Sequence, residues 1–210
     1  MLNNLNSYKT SLGQINLWFP KSIYIADNVL TSELSVLENT CRKIIEKYGV
    51  KRDNILSVDS THKTYDKFFE HLEFNNLSQK ILEHSKVFLL EIGYDFEYLK
   101  NLKIKNMWCN ISKKNDFLSP HVHNNSLLSG VFYVKSISVD KIRFFKDTSD
   151  MLTLQHMLAK PHNYNLFNFE YCDYDTISNR LLLFLSNFLH GNEKQKSQEK
   201  IAISFNLSCE

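Results

Sequence analysis

The chain has 210 residues, 43% hydrophobic and 23% charged, a globular composition long enough to bury one substantial core. Its 25 basic and 23 acidic residues leave a formal charge of +2, so no field-driven affinity for nucleic acid or a membrane surface is expected. Abundant aromatics (15 Phe, 10 Tyr, 2 Trp) beside five glycines and three prolines exclude a disordered or collagen-like chain.

The opening "MLNNLNSYKTSLGQINLWF" has no basic stretch followed by an apolar block, so no signal peptide is expected. No apolar run is long enough to span a membrane. Cys41, Cys109, Cys172 and Cys209 are scattered without a CxxC pair, the usage of a reduced intracellular protein. A soluble cytoplasmic chain follows from these readings.

"INLWFPKSIYIADNVL" is apolar, partly alternating and broken by Pro20, which reads as one or two strands. "TSELSVLENTCRKIIEKYG" is a helix capped by Thr31 or Ser32, with Leu34, Leu37, Ile44 and Ile45 at helical spacing and Gly49 as its stop. "DSTHKTYDKFFEHLEFNN" reads as loop and a short helix. "LSQKILEHSKVFLLEIGYD" is a second helix whose apolar stripe is Ile81, Val87, Leu89, Leu90 and Ile92.

After Asp95 the pattern changes to short runs rich in β-branched and aromatic residues: "LKIKNMWCNIS", "LLSGVFYV", "KIRFF", "YNLFNFEY", "RLLLFLS" and "KIAISFNLS". Two helices followed by at least six strands predict an α+β chain with a mainly β core and the helices packed outside it. One domain is expected, with residues 1–99 as a strand and helical support region and residues 100–210 as the core. "RLLLFLS" reads equally as a buried helix on composition alone.

Chemistry concentrates in "SPHVHNNSLLSGVFYVK". His121 and His123 are two apart, so on an extended backbone both imidazoles point the same way. That spacing suits two solvated side chains or two ligands to one metal ion. A catalytic divalent metal takes about three protein ligands and keeps open positions. His190, after the apolar run "RLLLFLSNFL" and before Gly191, is the natural third. His62, His71 and His84 lie among Lys and Glu and read as solvated, and His156 and His162 fall in a surface insertion.

"NMWCNISKKNDFLSPHVHNNSLLSGVFYVK" followed by "RLLLFLSNFLHGNEKQKSQEKIAISFNLS" resembles the 2-oxoglutarate- and Fe(II)-dependent oxygenases. The resemblance rests on Trp108 and Asn110, Pro120 to His123, Leu128 to Val134, His190 with Gly191, and Ile203 to Asn206. It covers roughly residues 100 to 208. It implies a double-stranded β-helix (a jelly roll, cupin-like) and an Fe(II) ion held by His121, His123 and His190. It also implies an O2-dependent reaction that converts 2-oxoglutarate to succinate and CO2 while hydroxylating a substrate C–H bond. Most of the superfamily has Asp or Glu where this chain has His123, and a carboxylate from elsewhere in the chain is the alternative second ligand.

The resemblance further implies a basic residue about ten positions after the distal histidine, pairing with the far carboxylate of 2-oxoglutarate. Lys200 holds that position, with Arg180 and Arg143 as the other basic residues on predicted core strands. Alternation supports it: Lys200, Ala202, Ser204 and Asn206 share one face of the last strand, and Ile201, Ile203, Phe205 and Leu207 the other. Tyr133 is either a second donor to that carboxylate or a core aromatic, and Asn110 and Ser129 are candidate cavity residues. Two rivals remain: a three-histidine cupin-type metalloenzyme without 2-oxoglutarate, and a non-catalytic ligand-binding module. The substrate is expected to be a small molecule or an amino-acid or protein side chain, with no nucleic acid. Residues 146–164, with Met151, Leu154 and Leu158 at helical spacing, read as a lid over the cavity mouth or a helix fixed outside the barrel.

Overall fold

The computed structural model describes residues 7–16, 20–50, 58–146, 162–165 and 168–209. In chain order the strands are β1 (Ser7–Lys9), β2 (Gln14–Asn16), β3 (Ile23–Asp27), β4 (Asp59–Ser60), β5 (Leu102–Lys113), β6 (Leu118–His121), β7 (Leu128–Lys135), β8 (Lys141–Phe145), β9 (Tyr171–Asp175), β10 (Arg180–Leu185), β11 (His190–Asn192) and β12 (Glu199–Cys209). The helices are α1 (Leu34–Tyr48), α2 (Asn75–Glu91) and the single turn α3 (Phe96–Leu99). The larger sheet runs β3-β10-β7-β12-β5-β4 and the smaller β6-β11-β8-β9, with β1 and β2 paired separately. All the pairings among these strands are antiparallel. This is the double-stranded β-helix, with helices laid on the outside.

Period-two alternation sorts the side chains of the larger sheet into two compartments. On one face Met107, Cys109 and Ile111 of β5, Leu128, Phe132 and Val134 of β7, Leu181 and Leu183 of β10, and Ile201, Ile203, Phe205 and Leu207 of β12 join Leu37, Cys41, Ile44, Leu77, Ile81 and Leu89 of the helices. On the other face Val131, Tyr133, Leu182, Phe184 and Ala202 meet Ile142 and Phe144 of the smaller sheet. Gly130 sits where a Cβ would lie 2.4 Å from Phe205 Cζ and 2.7 Å from the Leu182 carbonyl, so only glycine lets that ring close over β7. "RLLLFLS" is therefore a strand, buried on both faces, which is why its composition alone did not distinguish it from a helix.

Several local expectations are corrected. Glu33 precedes α1, with no side-chain cap, so neither Thr31 nor Ser32 caps it; Gly49 does end it, donating to the Ile45 carbonyl. In α2 the buried stripe is Leu77, Ile81, Ser85, Phe88 and Leu89, while Val87 and Leu90 face outward. The strand expected in "YNLFNFEY" begins only at Tyr171, where pairing with β8 becomes available. Residues 147–161, the centre of the segment expected to be a lid or a fixed outer helix, lie outside the described residues, as does His156.

One side chain ties the support region to the core. Asn179, at φ 65° before β10, accepts at Oδ1 from the Leu30 amide (2.8 Å) and donates from Nδ2 to the Leu30 carbonyl (2.7 Å). Leu30 is buried, so losing both bonds leaves a dry amide and a dry carbonyl. Asn179→Ala is expected to cost about 2–4 kcal/mol of unfolding free energy, measured by urea denaturation, and Asn179→Asp, which keeps the acceptor, clearly less.

Candidate metal centre and cavity

The strand pairing that builds the smaller sheet also builds the histidine cluster. His190 on β11 pairs with His121 on β6, and Phe144 of β8 flanks it on the other side. Close approach of β6 and β11 requires Gly191, where a Cβ would meet the Leu118 carbonyl at 2.7 Å and Pro120 N at 3.1 Å. His123 lies past the end of β6, on the loop, with its amide donating to the Ser186 carbonyl at the end of β10 (2.9 Å). Asn125, at φ 61°, turns the chain back toward β7.

The three imidazoles present ligand nitrogens all within 4.8 Å of one another. His190 Nδ1 donates to the Phe188 carbonyl and His121 Nδ1 to the Ser119 carbonyl, both at 2.8 Å. In a neutral ring each such bond leaves the lone pair on Nε2, facing the cluster. His123 Nε2 lies 3.3 Å from His190 Nε2. Ligand nitrogens about 2.1 Å from one ion are about 3.0–3.4 Å apart, so the His123–His190 pair is spaced for a shared divalent transition-metal ion. Burial, reinforced by repulsion from His121, lowers His123 to about 4 and His190 to about 3, so both are neutral, as ligands must be.

The cluster opens into a cavity of about 320 Å³ between the two sheets. Among the described residues no Asp or Glu lines it. Its larger-sheet wall is the inward face of β5 and β12: Asn110 Nδ2 donates to Ser204 Oγ, and Asn206 Nδ2 donates to Asn106 Oδ1. Ser129, on the same face of β7 as Val131 and Tyr133, donates to Asn206 Oδ1 and shares a bond with Ser186, and is not among the residues lining the cavity. At the far end stand Lys200, 3% exposed, and Tyr133, 2% exposed. Neither side chain has a hydrogen-bond partner among the described residues. Burial lowers Lys200 to about 8 and raises the Tyr133 phenol. The other two cations are committed elsewhere, Arg180 to Asp27 and Arg143 to Asp173 and Glu193.

Residues 106–206 match the family model described as "Putative 2OG-Fe(II) oxygenase". That segment is similar to the 2-oxoglutarate- and Fe(II)-dependent oxygenases. The match supports an oxygenase-type enzyme with Fe(II) and 2-oxoglutarate as its cofactors. Solved structures agree on the fold. A Pseudomonas putida prolyl-4-hydroxylase is 12% identical with a TM-score of 0.59, over 90% of this chain and 94% of that one. The viral collagen prolyl hydroxylase of Paramecium bursaria Chlorella virus-1, in its 2-oxoglutarate complex, is 14% identical with a TM-score of 0.54, over 88% and 94%. HygX from Streptomyces hygroscopicus, with nickel, 2-oxoglutarate and hygromycin B bound, is 13% identical with a TM-score of 0.57, over 90% and 83%. No curated protein matches significantly.

Within this cavity one residue departs from its expected setting. His62, expected to be solvated, lines the cavity and packs against Trp108 in a tilted contact, ring centroids 4.3 Å apart, with Trp108 5.8 Å from His123. Burial lowers its pKa. It is pinned there because Thr61 exchanges two bonds with Cys109, its amide to the carbonyl (3.1 Å) and its Oγ1 from the amide (3.2 Å). No periodicity in "DSTHK" marks this, since the contact is made across 46 residues of sequence. His71 and His84, also expected to be solvated, instead bond the Tyr65 and Tyr24 hydroxyls.

Gly191 gives the histidine cluster a test that needs no ligand. Gly191→Ala forces β6 and β11 apart at the His121–His190 pair and is expected to cost about 1–3 kcal/mol in urea unfolding. Unchanged stability would mean the two strands have slack that their spacing does not show.

Proposed function

We propose that this cavity is the active site of a hydroxylase in which His121, His123 and His190 hold Fe(II), and Lys200 with Tyr133 receives the far carboxylate of 2-oxoglutarate. The products are a hydroxylated substrate, succinate and CO2. The observation that carries the reading is the position of Lys200: a buried ammonium without an acceptor, in the same cavity as three converging imidazoles. A buried charge needs a partner, and an anionic co-substrate supplies it. Bound together in the cavity, Fe(II) and 2-oxoglutarate supply the O2-dependent oxidation of a C–H bond.

The chain's own residues orient and shelter that chemistry. The Phe188 and Ser119 carbonyls fix the ring tautomers of His190 and His121, and the Ser186 carbonyl fixes the backbone of His123. Ile142, Phe184 and Val131 keep the wall beside the cluster apolar, which excludes water. Tyr133 keeps its proton and donates beside Lys200. Three neutral imidazoles leave the ion one more positive charge than two imidazoles and a carboxylate would, strengthening its hold on a dianionic co-substrate. The substrate is a small molecule or an amino-acid or protein side chain entering past Trp108, His62 and Asn124.

The purified protein is expected to bind one Fe(II) per chain, and His121→Ala, His123→Ala and His190→Ala each to lose most of it by metal analysis while remaining folded. Full metal content in His123→Ala would move the second ligand to a carboxylate.

Lys200→Ala is expected to weaken 2-oxoglutarate binding roughly ten- to a hundredfold with iron affinity unchanged. The anaerobic Fe(II) protein, titrated with 2-oxoglutarate, reports this through its visible charge-transfer band; no band at any concentration would leave a three-histidine metalloenzyme that does not use 2-oxoglutarate. Because Lys200 titrates at about 8, wild-type affinity should hold below that pH and fall above it as the ammonium becomes neutral.

A further inference from the structure

Lys200 stands between two spaces. It lines the 320 Å³ cavity, and behind it lies a pocket of about 10 Å³, the room one water molecule takes. Val139–Lys141 and residues 193–196 enclose that pocket. Several charges surround the lysine. Lys141 is paired with Asp175, and Glu193 with Arg143. Lys194 and Lys196 are cations on the same turn. From the cavity side come Tyr133, His121 and His190, and the β5 neighbour, Ser112, is uncharged.

Asp140 differs from all of these. It is 3% exposed and, among the described residues, has no cation within ion-pair distance. Its carboxylate is satisfied by neutral donors: the amides of Lys196 (2.7 Å) and Ser197 (3.1 Å) and the Ser197 hydroxyl. These bonds keep it ionised, and Lys200 is the charge it senses. The same bonds fold the 193–197 turn against the back of Lys200. Gln195 on that turn donates to the Ser112 and Ser197 carbonyls and leaves its Oε1 buried without a partner. The wall behind Lys200 thus includes, beside Lys141, Lys194 and Lys196, one satisfied carboxylate and one buried amide oxygen.

The geometry points to Asp140 as the positioning residue for Lys200: it fixes the turn behind the side chain and supplies the negative charge that keeps the ammonium charged and facing the cavity. This assignment builds on the reading of Lys200 as the anchor for the 2-oxoglutarate carboxylate. A backing carboxylate solves a physical problem. An isolated buried lysine relieves its desolvation by losing its proton, and a neutral amine holds a carboxylate poorly. A direct ion pair with Asp140 would prevent that, but would also compete with the incoming anion. Held off by its own hydrogen bonds, Asp140 biases the protonation of Lys200 without occupying it.

The test compares wild type, Asp140→Asn and Lys200→Arg. The Lys200 Cε signal, assigned by its loss in Lys200→Arg, is titrated by NMR in the Zn(II)-loaded protein, and 2-oxoglutarate affinity is followed across pH in the anaerobic Fe(II) protein. Asp140→Asn is expected to lower the lysine midpoint by about one pH unit and to weaken 2-oxoglutarate binding about threefold near pH 7.5, the ratio of charged fractions across that shift. In Lys200→Arg the alkaline loss of affinity should vanish, and adding Asp140→Asn should not restore it, because guanidinium stays charged. If Asp140→Asn lowers the melting temperature but leaves the Lys200 midpoint where it was, Asp140 is a structural clamp and the proposal is overturned. If the midpoint falls while wild type itself fails to bind 2-oxoglutarate, the positioning role stands and the reading of the cavity's ligand fails.

Discussion

The register of β12 is the constraint on which the rest of the molecule depends. The strand lies between β5 and β7, paired with β5 from Glu199 to Cys209 and with β7 from Ile201 to Leu207. Its two faces serve incompatible environments, one an apolar layer under the helices and the other the cavity. A slip of one residue would drive Lys200, Ser204 and Asn206 into the helix-side core and expose Ile203 and Phe205 to the polar wall. The penalty for burying an unpaired ammonium and two hydrogen-bonding side chains makes that slip prohibitive. The same alternation that folds the sheet thus delivers the cavity's polar groups to one side.

That arrangement is not the most stable one available. Lys200 has a folded-state pKa of about 8 against an ordinary 10.5, so keeping it protonated costs about 3 kcal/mol. The sign follows from the depression: the cost is fully present below pH 8 and fades as pH rises toward 10.5, where the unfolded chain also releases the proton. One residue away, on the same strand, the balance is reversed. Glu199 is held by Arg42 and Lys135, and those bonds lower it to about 2 from 4.5. It contributes stability above its ordinary range that is lost as pH falls toward 2, though partial exposure screens the gain. Glu199 and Arg42 fasten α1 to the sheet where Lys200 strains it, the pattern of a site maintained against local stability.

Periodic features were legible in the chain; features that depend on contact between distant segments were not. The alternation in "KIAISFNLS" correctly divided Lys200, Ala202, Ser204 and Asn206 from Ile201, Ile203, Phe205 and Leu207, because strand geometry leaves no other choice. Gly49 was readable as a helix stop for a similarly local reason. The α2 stripe was misjudged at Val87 and Leu90 because several apolar residues compete for one narrow face, and packing against β5 and β10 selected among them. His62 reaches Trp108, and Asp140 reaches the 193–197 turn, only through folding. Neither carries a spacing that a reader of the sequence can weigh. The histidines were suggested by His-x-His and an H-G turn, but their convergence required β6 and β11 to pair, which Gly191 permits.

The charge inventory of the cavity limits what it can hold. Its described lining carries Lys105, Lys200 and four histidines, and no carboxylate. Lys105 already donates to the Asn125 carbonyl at the mouth. An anion entering the cavity meets donors at both ends and an ion site between them. A cationic amine meets amide and hydroxyl oxygens but no charge to offset its desolvation, which in a dry cavity costs several kcal/mol. On the proposed reading, with His123 as an iron ligand in place of a carboxylate, the balance moves in the same direction. The asymmetry therefore comes from the donor set as a whole, and it disfavours amine-bearing groups at the depth of the histidines whatever the outer rim selects.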